Sequence, residues 1–163
     1  MELFDLVDKN DNVIGVTNKP DAHSNKLAHR CVAVFVFNKT GELYVQVHKS
    51  SGGKLDHTVG GHVSRGESYM EAAIREAEEE VNLNQPLTEL VTSYYSDEGT
   101  YIHMFGIFEC IAEDSWKFEP NDEVGELVLI PIDEILQLMK SSPEKFTGGF
   151  LNTMKEYQRI KQL

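Results

Sequence analysis

An α/β or α+β sandwich around one mixed sheet is the fold class this sequence predicts. Three observations carry it. Short apolar runs recur along the chain, several with the two-residue period of strands; the longest is "CVAVFVF" at 31–37. Helical patterns interrupt them, at 69–81, after 133 and at the C-terminus. The chain has 163 residues with 40% hydrophobic and 26% charged content, enough for one core that folds alone. Residues 1–163 therefore read as a single domain opening with a hairpin region over about 1–28.

The elements follow in order. "LFDLVD" and "NVIGVTN" flank the polar turn "KND" and read as a hairpin. "KPDAHSNKLAH" is a polar connector. "RCVAVFVFN" is a strand, "KTG" a tight turn, and "ELYVQVHK" the antiparallel partner, in which Leu43, Val45 and Val47 alternate with Tyr44, Gln46 and His48. "SSGGK" is a flexible loop, and "LDHTVGGHV" a short strand entering a glycine-rich turn. Ser68 caps the next helix, with Glu71 completing a capping box, and Asn82 ends it in a left-handed conformation. "LTELVTSYYS" and "TYIHMFGIFECIA" are two strands joined by "DEG". "WKFEPNDEVGE" is a loop and "LVLIPI" a short strand. Asp133 caps a helix reaching about Met139, broken by Pro143, and "GGFLNTMKEYQRIKQL" is a terminal amphipathic helix.

Composition narrows the function classes. A net charge of -12 repels nucleic-acid polymers and anionic membrane surfaces at long range. It leaves room for a small phosphorylated ligand, because a bound divalent cation reverses the local field. No apolar run approaches the roughly 20 residues of a membrane span. The acidic start "MELFDLVDKNDN" lacks the basic and apolar regions of a signal peptide. Cys31 and Cys110 lie in apolar runs and read as buried free thiols. A reducing, cytoplasmic location is the expectation.

The helix over 69–81 is unusual. Its last turns carry Glu76, Glu78, Glu79 and Glu80, where the helix dipole favours cations. With about 100° per residue and Glu76 at zero, Glu80 falls near +40° and Glu79 near -60°. Met70, Ala73, Ile74, Ala77 and Val81 fall between about +60° and +160°, a core-facing stripe. Glu71 and Glu78 point to solvent, where Glu71 can pair with Arg75. Glu76, Glu79 and Glu80 thus share a face beside the core. They are either a solvated acidic surface or the carboxylate set that a hard cation such as Mg²⁺ takes together with water and phosphate oxygens. Glu67, in the loop before the helix, could add a fourth oxygen.

These residues resemble the Nudix signature: glycine, five residues, glutamate, seven residues, then Arg-Glu-hydrophobic-any-Glu-Glu-any-Gly-hydrophobic. Gly61, Glu67 and "REAEEEVNL" at 75–83 fall in register, so the box spans 61–83. Asn82 stands at the glycine position, where its tolerance of the left-handed conformation makes the departure small. The resemblance implies a Nudix-type α/β/α sandwich and Mg²⁺- or Mn²⁺-dependent hydrolysis of a nucleoside diphosphate derivative or related small-molecule diphosphate. It implies Glu76, Glu79 and Glu80 as principal metal ligands, Glu67 assisting, and Arg75 orienting the glutamates. Glu79 or Glu80 is the first candidate base. Glu123 in "PNDEVGE" is a second, against its plain reading as a solvated loop acid. Lys49, Lys54, Arg65 and His62 are candidate substrate contacts, and Tyr94, Tyr95 and Phe105 candidate stacking platforms, against ordinary surface or sheet roles.

The flanks are similar to the isopentenyl-diphosphate-isomerase-like branch, through "FDLVDKNDNVIG", "AHRCVAVFVFNKTGELYVQ", "GGHVSRGE" and "KFTGGF". Isomerases of this type place a catalytic cysteine where Gly60 stands, and an acid-any-acid pair aligned with Tyr101 and His103. The absence of these groups favours a hydrolase over an isomerase; a non-catalytic ligand-binding domain is the other alternative. His23 and His29 sit near isomerase metal histidines, and with His62 they form an incomplete second metal set. His48, His57 and His103 carry no separate signal. The sequence leaves the oligomeric state, a homodimer included, and the substrate open.

Overall fold

The computed structural model describes residues 1–163. Its centre is β3 (His29–Phe37), which pairs in parallel with β8 (Ile102–Ile111) on one side and antiparallel with β6 (Val59–His62) on the other. Around it run β1 (Leu3–Val7) and β2 (Val13–Asn18), the predicted hairpin, and β7 (Thr88–Asp97) beyond β8. β4 (Glu42–His48) touches β3 only where the turn closes, at Phe37 and Leu43. It then pairs with β5 (Lys54–Asp56) and β9 (Leu127–Pro131). The sheet of nine strands is mixed, as predicted.

β3 reads as a nearly unbroken apolar run because both its faces are covered. Val32, Val34 and Val36 face α2 (Tyr69–Val81), with Ala73, Ala77 and Phe108 in the same core. Ala33 and Phe35 face the other layer, α3 (Ile132–Ser141) and α4 (Gly148–Lys161), through Ile135, Phe150 and Met154. No helix is long and apolar enough to cross a membrane. Cys31 and Cys110 are buried free thiols.

Several local expectations need correction. The polar connector holds a short helix, α1 (Lys19–Ser24), whose first turn contains Pro20 and is capped by the Asn18 side chain. "LDHTVGGHV" supplies two strands, β5 and β6, which pair with different partners. A 3₁₀ turn occupies Lys49–Ser51, across the end of the predicted strand and the start of the expected loop. Asp133 lies in the first turn of α3, not at its cap, which is Pro131. Gln46, on the polar face of the predicted alternation, is buried.

The capping box of Ser68 and Glu71 forms, and Asn82 adopts φ 53° and ψ 38°. The apolar stripe of α2 is rotated from its predicted position. Ile74 is 50% exposed, whereas Ala72 and Glu80 are buried. On the same wheel Ala72 lies near -40°, so the buried arc centres close to Glu80. Glu71 does not pair with Arg75; its carboxylate accepts from the Ser68 N–H, and Arg75 turns to other acids.

Candidate active site

Arg75 organises the first set of groups. Its Nε and Nη2 donate to the two oxygens of Glu67 at 2.7 and 2.9 Å, its Nη1 donates to Glu76 at 2.8 Å and Glu79 at 3.3 Å, and Nη2 also reaches the His62 carbonyl at 3.0 Å. This is the bidentate, charge-assisted geometry that fixes carboxylates in place. Hydrogen bonds from Arg75 lower the Glu67 pKa against the opposing effect of burial. The Ser64 N–H donates to the same carboxylate at 2.9 Å. Glu67 thus has both oxygens engaged, and Glu79 stays half-exposed on the rim.

Three carboxylates converge instead: Glu76, Glu80 and Glu123 each bring an oxygen within 4.8 Å of the others. Glu80 is buried, and its carboxylate accepts one long bond, 3.2 Å, from the Gly60 N–H. Burial first, then the neighbouring Glu76 and Glu123, push its pKa up to about 9. Burial likewise raises Glu76, against the pull of Arg75. Glu123 is exposed, yet its loop is held at α2: Asn121 donates to the Glu80 carbonyl at 2.8 Å and accepts the N–H groups of Glu123 and Val124. A buried carboxyl among like charges, with no cationic side chain against it, is an arrangement that a divalent cation stabilises.

Gly61 explains the close approach of β6 and α2. A Cβ there would lie 2.2 Å from Cδ of Glu76. A cleft of about 1500 Å³ opens beside the carboxylates. Lys54, His62 and Phe105 line it, as does Lys19, which the sequence reading passed over. Lys49 packs on Gly125 and Arg65 lies 3.9 Å from Asp5, so both are directed elsewhere. Tyr94 and Tyr95 are half-buried in β7, outside the cleft lining.

A second cluster borders the same cleft. His23 of α1, His29 of β3, His62 of β6 and His103 of β8 each place a ring nitrogen within 4.8 Å of the others. Nε2 of all four is buried without a hydrogen-bond partner. Burial lowers His23, takes His29 down to about 4 and His62 to about 2. His103 is drawn up to about 10: burial opposes its charge, but Cys31 and Glu98 outweigh it.

The NUDIX domain family profile matches residues 27–148, most of the chain. The chain belongs to the Nudix family. An isopentenyl-diphosphate Delta-isomerase of Pectobacterium atrosepticum is 35% identical over 153 residues, covering 89% of this chain and 85% of that protein. An uncharacterised Nudix hydrolase of Nostoc sp. is 33% identical over 156 residues, covering 89% and 90%. The crystal structure of DR0079 from Deinococcus radiodurans superposes with a TM-score of 0.67 at 24% identity, over 86% of this chain and 90% of that one, and shows the same fold.

The Nudix box lies along β6, the loop with Glu67, and α2. Its residues are local in sequence, which is why it was legible before folding. His103 was passed over. The signal the sequence holds for it is its alignment with an isomerase acid.

Proposed function

We propose that this Nudix protein hydrolyses a phosphoanhydride bond of a nucleoside diphosphate derivative or a related small diphosphate, with Mg²⁺ or Mn²⁺ as cofactor. The observation that carries the reading is the buried Glu80 carboxyl, which faces Glu76 and Glu123 with no cationic side chain against it. Glu76, Glu80 and Glu123 would hold the ion. When bound, it supplies charge neutralisation for the diphosphate and acidifies a water molecule.

The chain's own residues do the rest. Arg75 fixes Glu67, Glu76 and Glu79 in one orientation. Glu79, half-exposed and tied only to Arg75, and Glu123, on the loop across the cleft, are placed to accept the proton of the attacking water. Lys54 and Lys19 along the cleft offer positive charge to phosphate oxygens. Gly60 carries no side chain for the thiol chemistry of the isomerases, which favours hydrolysis although relatives carry both names.

The test is a screen of nucleotide sugars, dinucleotides, nucleoside triphosphates and isoprenoid diphosphates with Mg²⁺ or Mn²⁺, scoring phosphate or pyrophosphate release. Turnover is expected in wild type and absent in Glu80→Gln, which keeps its fold by circular dichroism. Full turnover in Glu80→Gln, or isomerisation of an isoprenoid diphosphate without any hydrolysis, would overturn the proposal.

A further inference from the structure

We infer that the cleft-facing wall of β4 and β5 is a subsite for a polyhydroxylated group, a sugar joined to the diphosphate, and that Gln46 and Asp56 select it. The inference rests on the diphosphate reading proposed above.

The wall is polar because of strand register. β4 and β5 pair antiparallel with Gln46 opposite Asp56 and His48 opposite Lys54. Opposed residues project from the same side of a sheet, and so do residues two apart. The four side chains therefore form one two-by-two patch, and all four line the cleft. Leu43, Val45 and Leu55 project the other way, into the core beneath α3 and α4. The patch adjoins the carboxylates: after burial, Glu76 and Glu123, Asp56 is a further charge that raises the Glu80 pKa.

Its hydrogen-bonding groups are held in place and left open. Gln46 is only 8% exposed, yet its amide makes no hydrogen bond within the chain, which is rare for a buried polar group. Asp56 is fixed through Oδ1, which accepts from the His57 N–H at 2.8 Å and the Thr147 hydroxyl at 2.9 Å, with Nδ1 of His57 also at 2.9 Å. Oδ2 faces only Nε2 of His48, at 4.0 Å, too far for a direct bond. Nδ1 of His48 lies 3.1 and 2.9 Å from the hydroxyls of Ser50 and Ser51. When these donate to it, Nε2 carries the proton and faces the gap.

A carbohydrate hydroxyl both donates and accepts. Seated over the gap, about 2.8 Å from each side, it accepts from Nε2 and donates to Oδ2. The Gln46 amide beside it has two donors and an acceptor for a neighbouring hydroxyl. An isoprenoid chain would leave all these groups unpaired, with a desolvation cost for each. A nucleobase would find no stacking partner, because the patch has no aromatic side chain. Lys54, in the same patch, offers charge to the adjoining phosphate.

The test measures kcat/KM with Mg²⁺ for UDP-glucose, GDP-mannose and ADP-ribose, each against the methyl ester of the same nucleoside diphosphate. Wild type should prefer at least one sugar-bearing compound by about 100-fold or more, since a site built for hydroxyls rejects an analogue without them. Gln46→Leu should cut that preference about tenfold, the loss of one or two hydrogen bonds. The amide supports nothing else in the fold, so this variant should melt with wild type; Gln46→Met carries the test if leucine disturbs the strand. Calorimetry on the same pairs, with Ca²⁺ in place of Mg²⁺, reads binding without turnover. Sugar-selective binding that Gln46→Leu weakens, with no turnover of any diphosphate, would support the subsite and overturn the hydrolase reading alone. Equal handling of sugar and methyl ester by wild type in both assays, or a preference that Gln46→Leu keeps in full, would overturn the subsite.

Discussion

Gly61→Ala should separate stability from activity. The new Cβ would stand 2.2 Å from Cδ, 2.4 Å from Oε1 and 2.6 Å from Cγ of Glu76. Ordinary contact begins near 3.4 Å, so the carboxyl must move by roughly 1 Å or more. Turning the Glu76 side chain away from β6 breaks the 2.8 Å bond from Arg75. Losing a charge-assisted hydrogen bond costs about 1.5–3 kcal/mol. Moving one acid away from Glu80 returns part of that, because Glu76 raises the Glu80 pKa. The net loss should be about 1–2 kcal/mol, or a fall in Tm of about 2–8 °C for a chain of this size. Activity should fall much further, by about 100-fold or more, since a displacement near 1 Å at a reacting centre has that effect. Gly60→Ala is the control: its Cβ would meet Nδ1 of His57 at 3.4 Å, and both readouts should change little. Measuring Tm together with kcat/KM and Mn²⁺ affinity decides the matter. Gly61→Ala with wild-type Mn²⁺ affinity and turnover would refute the argument that this glycine exists to seat Glu76.

Two further outcomes follow from the same geometry. The folded state raises Glu80 from an ordinary 4.5 to about 9. Between those values the native state therefore holds a proton that the unfolded chain has released. In metal-free protein this group's contribution is intact below about pH 4.5 and is lost as pH rises toward 9. Thermal melts of wild type against Glu80→Gln should show wild type losing ground across that window, and saturating Mg²⁺ should reverse the trend; a difference independent of pH would count against it. Asn82, at φ 53°, should accept glycine with little change, whereas alanine should cost about 1 kcal/mol by urea denaturation; equal stability of the two variants would contradict the left-handed cap.

What was legible in the sequence is what is local. Ser68, Glu71 and Asn82 announce the ends of α2 because capping chemistry depends on neighbours a few residues away. Glu76, Glu79 and Glu80 share a face because helix geometry alone puts them there. The facing of that helix was not legible. Ile74 is exposed and Ala72 buried because Gly61 lets α2 settle on β6 with Glu80 inward, which is a property of the pair. Glu123 reaches the site only through the grip of Asn121 on the end of α2. His103 joins His29 only because β3 and β8 lie parallel and in register at those residues. A helical turn in "KPDAHS" was hidden by its polarity and brevity.

The three residues Gly60, Gly61 and His62 are each committed to a different neighbour. The Gly60 N–H meets Glu80, Gly61 makes room for Glu76, and the His62 carbonyl accepts from Arg75 while its ring joins the histidines. Successive residues of a strand face opposite ways. Gly61, paired with Val32, faces α2, and His62, paired with Cys31, faces away. One extra residue between Thr58 and Gly60 would reverse those facings. The imidazole would then turn toward the α2 side of the sheet, and the histidine cluster would lose a member in the same step. Two chemically unrelated clusters therefore depend on a single strand register.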